Sequence, residues 1–289
     1  MKYTEQLNIE FLLTARELFE NFYRSGKYPL LSQTEKKLKI VKSSMKKELE
    51  SGEIKKYEYP EINVVAKFVS RGVYEVDQSA LNEYLHDIGL FIPTVKLDYQ
   101  KLKKAGMLEK VEGFVKYIPR FVVPSLNKKG KLPDLNFHVN GFGVEQMARN
   151  FSYLNRIYKS VEVQYELIKQ KMEKCPELIW YTERKKKDKK LVYRNEYGSL
   201  RLKNNDPIYD IDSTVDHFGL DWLLAYGRLK NRIVDRFIQK GTITKKDLDK
   251  FKRLVDIQLS FVVMPLDIEQ QSMEFLHEKR MIAAQNNRI

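Results

Sequence analysis

Residues Phe151–Met172 read FSYLNRIYKSVEVQYELIKQKM, and this stretch decides the fold class. Its apolar positions Phe151, Leu154, Tyr158, Val161, Tyr165, Ile168 and Met172 are spaced 3-4-3-4-3-4. On an α-helix that spacing keeps all seven on one stripe, the heptad seam of a helix that packs against another helix; a strand would need alternation at two. The spacing therefore predicts a long helix over Arg149–Lys174. Its partner is either a basic helix nearer the N-terminus or the same helix of a second subunit, giving a homodimer. Asn140-Gly141-Phe142-Gly143 reads as the turn before it. With neither a Lys-Ser/Thr pair nor a third glycine, that turn is not a phosphate loop or a dinucleotide fingerprint.

Toward the N-terminus, Leu7, Phe11, Ala15, Leu18 and Phe22 recur at three and four, which predicts an amphipathic helix over Gln6–Tyr23 ended by Gly26 and Pro29. A second helix, Ser32–Glu50, carries Leu38, Val41, Met45 and Leu49 on one stripe with lysines around it, and stops at Ser51-Gly52. Ile54–Val69 reads as short strands with Ser70-Arg71-Gly72 as a turn. Asp77 reads as the N-cap of the helix LNEYLHDIGL, because its carboxylate can accept the orphan amide protons of a first turn. Pro93, Pro119, Pro124 and Pro133 interrupt the next stretch, leaving a short helix near Asp98–Lys104 and extended segments.

Toward the C-terminus, residues 178–205 read as a hairpin with a turn at Asn195-Glu196-Tyr197-Gly198 and an earlier charged bend at Arg184–Lys190. Helical sequence follows from Tyr209, again over Lys245–Val263, and after Pro265 to about Ala284. The expected fold is α+β and helix-dominated, with long coiled-coil-like helices and two small β-hairpins. The expected division is 1–133, a helical arm with a hairpin and a Pro-rich middle, and 134–289, the heptad helix with a hairpin and C-terminal helices. Tyr74-Glu75-Val76-Asp77 and Tyr209-Asp210-Ile211-Asp212 each precede a Gly-Leu pair, at Gly89-Leu90 and Gly219-Leu220, which points to an internal duplication.

The segment Thr34–Leu85, a basic helix followed by a hairpin and a Tyr-x-x-Asp-capped helix, resembles bacteriophage coiled-coil proteins of the Mu Gam-like host-nuclease inhibitor and siphoviral recombination-accessory type. Glu196–Leu224 resembles them more weakly. The resemblance covers about a third of the chain. It implies a phage or mobile-element protein that binds DNA or a DNA-processing enzyme, and it transfers no site residue. Gam-like proteins are shorter single units, whereas this chain would hold two.

Composition bears on the same question. The 289 residues include 52 Lys and Arg against 39 Asp and Glu, a formal charge of +13, which suits a partner of dense negative charge such as nucleic acid. A single cysteine, Cys175, excludes an intramolecular disulfide framework and a cysteine-based zinc site of the four-ligand kind. The N-terminal MKYTEQLNIEFLL has charges within its apolar stretch and no cleavage site, so it does not read as a signal peptide, and no apolar run is of membrane-spanning length. The expected location is the cytoplasm of a bacterial host.

The densest charge is Arg184, Lys185, Lys186, Lys187, Lys189 and Lys190, with Trp180, Tyr181 and Tyr193 nearby to stack on bases. Lys128, Lys129 and Lys131 form a second candidate phosphate contact, within a stretch from Lys96 to Lys131 that has ten basic residues against three acids. An enzymatic reading rests on Asp206, Asp210, Asp212, Asp216 and Asp221 with His217, but Asp212 fits an N-cap and Asp216 a first helical turn. These patterns favour a non-enzymatic DNA-binding accessory factor with no cofactor and no metal. The alternatives are a protein-protein inhibitor of a host defence or recombination enzyme, and a Mg²⁺-dependent nuclease built on Asp206, Asp210 and Asp212.

Overall fold

A computed structural model describes residues 13–185 and 191–286. In chain order the first elements are α1 (Ala15–Arg24), α2 (Lys27–Glu50), β1 (Lys56–Tyr59), β2 (Val64–Val76), α3 (Gln78–Asp87), α4 (Phe91–Thr94), β3 (Val95–Leu97) and α5 (Tyr99–Lys104). Then come β4 (Val115–Tyr117), β5 (Arg120–Leu126), α6 (Val144–Glu173), α7 (Pro176–Lys185), β6 (Tyr193–Asn195), β7 (Gly198–Asn204) and β8 (Ile208–Tyr209). The last are α8 (Ile211–Phe218), α9 (Leu220–Tyr226), β9 (Gly227–Leu229), α10 (Asn231–Gln239), α11 (Lys245–Asp249), β10 (Lys252–Pro265) and α12 (Leu266–Asn286). The fold is mixed and helix-dominated with small antiparallel sheets, as expected. Among the described residues no helix is long and apolar enough to cross a membrane. Contacts gather the chain into two units, each assembled from two separated segments: residues up to Met45 with Arg120–Asn205, and Lys46–Pro119 with Asp206 onward. The expected division at 133/134 instead cut the chain once.

In the first unit α1 opens with a capping box. The Thr14 hydroxyl accepts from the Glu17 amide at 3.2 Å and the Glu17 carboxylate accepts from the Thr14 amide at 2.8 Å. Gly26 takes a left-handed φ of 74° and ends the helix. Pro29 does not: α2 starts at Lys27, ahead of the expected Ser32, and Pro29 sits in its first turn, where no amide proton is needed. The heptad stripe of α6 buries Phe151, Leu154, Val161 and Met172 and half-buries Tyr158, Tyr165 and Ile168. Its partners are α1 and α2 of the same chain. The Lys42 ammonium lies 5.3 Å from the Phe151 ring, Leu31 clusters with Val161 and Phe22, Tyr28 meets Tyr165 edge-on at 5.5 Å, and Phe22 stacks on Tyr165 at 5.4 Å. Rising numbers in α2 meet falling numbers in α6, so the two run antiparallel.

The turn at Asn195-Glu196-Tyr197-Gly198 joins β6 to β7, and β5 completes that sheet in the order β5-β7-β6. The stretch before it corrects the expectation, because residues 178–185 are helix rather than strand. Pro176 occupies the first helical position, and Leu178 and Ile179 pack on the cluster of Val122, Leu200 and Leu202. Of the expected bend, residues 186–190 and the Lys185 side chain lie outside the described residues.

In the second unit, β2 passes straight through Ser70-Arg71-Gly72 because β10 pairs with it there, opposite Leu259, Gln258 and Ile257. The expected helix over Lys245–Val263 is therefore only α11, held by a Thr244/Asp247 capping box, before the chain becomes strand. The helical stretch after Tyr209 is broken into α8, α9, β9 and α10. Asp77 caps α3, as expected, and Asp98 caps α5, the short helix expected near Asp98–Lys104. The cap of α8 is Asp210, not Asp212, which lies in the first turn. The two quoted Tyr-acid motifs therefore place their caps two residues apart. Leu85, Phe91, Val95, Leu102 and Leu223 form the core of this unit, onto which β3 and β9 pack.

Candidate phosphate-binding site

Directly opposed residues in an antiparallel pair share a face with Cβ atoms about 5 Å apart, so like charges there repel. The second unit contains two such cationic pairs. In β1 and β2, Lys56 faces Lys67, and two carboxylates supply the counter-charge: Glu269 of α12, 4% exposed, accepts a short hydrogen bond from Lys67 and lies 3.0 Å from the Lys56 ammonium, and Glu58 of β1 lies 2.6 Å from Lys56. Burial alone would raise the Glu269 pKa, but Lys67 and Lys56 outweigh it and hold the carboxyl below the usual range.

In β3 and β9, Lys96 faces Arg228. Among the described residues neither forms an ion pair with a carboxylate. The Lys230 amide donates to the Thr94 carbonyl at 2.7 Å, which brings a third cation beside them. The Lys230 ammonium is pushed down by burial and then by Lys96, with Asp212 acting weakly the other way. Lys230 also holds the N-cap position of α10 and gives no side-chain cap, so the positive end of that helix adds to the same field. Arg232 follows in its first turn. Two cavities of about 280 and 410 Å³ share Lys96, Arg228 and Lys230 as lining; the first also takes Tyr99 and Asp206, the second Asn231 and Arg232. An oxyanion matches this arrangement chemically, since arginine offers a planar fork of donors, lysine a point charge, and a phosphate only acceptors.

The residues expected from sequence are placed as follows. Arg184 lies with its guanidinium 4.4 Å over the Trp180 ring, and Trp180 is 46% exposed. Tyr181 is half-buried between Trp180 and Tyr193, at 5.0 Å from each. Tyr193 is closed to base stacking: it is buried, its hydroxyl donates to Glu177 at 2.9 Å, and burial with that carboxylate pushes its pKa up to about 12. Lys186, Lys187, Lys189 and Lys190 lie outside the described residues.

Lys129 is engaged within the fold. It pairs with Glu196, which Arg24 also holds at 2.6 Å, and both cations keep that carboxyl below its usual range. Asn127 docks the same loop on the β6–β7 turn, donating from its side chain to the Glu196 carbonyl and from its amide to the Tyr197 carbonyl, while its side-chain oxygen accepts from the Gly130 amide. Lys128 and Lys131 are exposed and, with Lys36, line a groove of about 460 Å³.

The acidic group does not converge. Asp210 accepts from the Ser213 amide, Asp212 and Asp221 sit in first turns, and His217 packs its ring against Phe114 and Phe218. Among the described residues no three or more His, Cys, Asp or Glu side chains are placed to hold a metal ion. Burial raises the Cys175 thiol, leaving it poorly nucleophilic.

Comparison of the chain with models of known protein families, with curated proteins and with solved structures finds no match.

Proposed function

We propose that this protein is a non-enzymatic DNA-binding accessory factor of a bacteriophage or mobile element, acting in the host cytoplasm in recombination, replication or DNA-end protection. One contrast carries the phosphate-binding part of this reading. The cationic pair Lys56–Lys67 is neutralised by Glu269, whereas Lys96–Arg228, joined by Lys230, has no carboxylate ion pair among the described residues and borders two cavities. Anionic oxygens brought by a partner would relieve that repulsion.

Lys36, Lys128 and Lys131 offer further contacts, as do Arg184 and the exposed Trp180 beside the lysine run. Such contacts track the backbone and carry little sequence preference, which suits an accessory factor. The likeness of Thr34–Leu85 to Gam-like proteins supports the phage setting. In this reading the antiparallel α2 and α6 make a coiled-coil-like arm. The order hairpin then Asp-capped helix, met at β1–β2 and α3 and again at β6–β7 and α8, is the remnant of a duplication.

The test is fluorescence anisotropy with a labelled DNA duplex and a single strand at about 50 and about 200 mM salt. Several phosphate contacts should cost on the order of a thousandfold in affinity over that range. Absence of binding at the lower salt overturns the reading and redirects attention to a protein target.

A further inference from the structure

From Val69 to Val76, β2 is paired on one side only, with β10, and over this length the two strands form a ribbon. Opposed residues place Phe68, Ser70, Gly72 and Tyr74 of β2 on one face with Phe261, Leu259, Ile257 and Leu254 of β10. A Cβ built on Gly72 would meet the Tyr74 ring at 2.7 Å and Leu254 Cδ1 at 2.9 Å, so those side chains do converge on that face. The other face is more polar, with Arg71 opposite Gln258, Val69 and Val73 opposite Ser260 and Asp256, and Glu75 bonded to Arg253 at 2.6 Å. The ribbon is thus amphipathic, and its apolar face is open. Tyr74 is 55% exposed, Ile257 61%, and Leu254 and Leu259 49% each.

A two-stranded ribbon is marginal in water unless one face is covered. With Val76, also exposed and on this face, the open apolar surface is about 500 Å² per copy, taking each of the five half-exposed side chains at roughly 100 Å². Two such faces together bury about 1,000 Å², the lower bound for a specific interface.

Between Phe68 and Tyr74 no side chain on this face is charged, in a chain whose formal charge is +13, and Lys252, opposite Val76 at its end, is held by Asp249 at 3.1 Å. An acidic partner finds nothing there to steer it. Two copies of the same cationic chain repel each other over charged surface but not here. A two-fold axis would set the face against itself, which requires only that it be apolar.

We propose that the apolar face of the β2–β10 ribbon is the contact surface between two copies of this chain. The contact is distinct from the α6 stripe, which α1 and α2 already cover. Sedimentation equilibrium of the full chain, from about 1 to about 100 μM in about 300 mM salt, reads it directly, with a dimer of micromolar Kd expected for so small an interface. Ile257→Lys with Leu259→Lys should weaken the dimer at least tenfold, while Gln258→Lys on the polar face should leave it unchanged. Circular dichroism confirms folding. If the double-lysine variant fails to fold, Ile257→Thr with Leu259→Thr keeps β-branched residues in the strand and should weaken association in the same direction. A monomer at 100 μM overturns the proposal, as does a dimer indifferent to the apolar-face variants. A monomer that binds lipid vesicles through this face overturns it equally.

Discussion

Replacing Glu269 by glutamine removes the carboxylate that bridges Lys56 and Lys67 without changing side-chain size, and among the described residues it leaves Lys56 paired with Glu58 but Lys67 with no carboxylate. The Glu269 side chain is 6% exposed, that of Lys67 23% and that of Lys56 48%. Breaking a fully buried pair costs about 3–5 kcal/mol, because it strands a charge away from water. Here Lys56 keeps Glu58 at 2.6 Å and Lys67 is partly open to solvent, and the discounted cost is about 2 kcal/mol. Urea unfolding followed by circular dichroism at pH 7 should show this loss.

The pH dependence gives the sign. The folded pKa of Glu269 lies below its ordinary value, so its contribution is fully present above the unfolded carboxylate pKa of about 4.3 and is lost as pH falls through the folded value. The gap between parent and Glu269→Gln should therefore be constant above about pH 6 and close in acid, since glutamine mimics the protonated side chain. Equal stability at pH 7, or a gap that persists into acid, refutes the reasoning.

Two other outcomes follow from the packing and the caps. Phe151→Ala, at 1% exposure on the α6 stripe, should destabilise by about 3–4 kcal/mol in the same denaturation assay; a loss below about 1 kcal/mol would mean that α2 does not cover that position. Asp210→Ala should cost about 1 kcal/mol and Asp210→Asn close to nothing, since asparagine also caps; an Asp210→Asn loss as large as that of alanine would show that the carboxylate does more than cap α8.

What could be read from the sequence was local. The α6 stripe, the cap of α3, the short helix α5 and the Asn195–Gly198 turn each depend on residues a few positions apart, and the structure forms all of them. Some misreadings ignored signals that were present. Ile257, Leu259, Phe261 and Val263 alternate at two, a strand signature that runs against the helix expected over Lys245–Val263. Pro176 marked a helix start ahead of residues taken for a strand. Glu269 gave no sign of its role, because Lys56 and Lys67 meet it only after β1, β2 and α12 assemble. The Lys96–Arg228 pair was equally hidden: β3 and β9 are three-residue strands far apart in the chain, too short to register as periodic patterns. In the sequence Lys96 is one cation of a basic stretch, and Arg228 and Lys230 carry no local signal.

The central claim is that Lys96, Arg228 and Lys230 await anionic oxygens from a partner. Its most direct test is the salt dependence of DNA affinity for the parent and for Lys96→Gln/Arg228→Gln/Lys230→Gln, with Lys39→Gln as control, since Glu35 already neutralises Lys39. The account predicts that the triple variant binds more weakly, that its log–log salt slope falls by about three because each lost phosphate contact removes about one, and that its melting temperature rises as the repulsion disappears. An unchanged slope together with an unchanged or lowered melting temperature would contradict it.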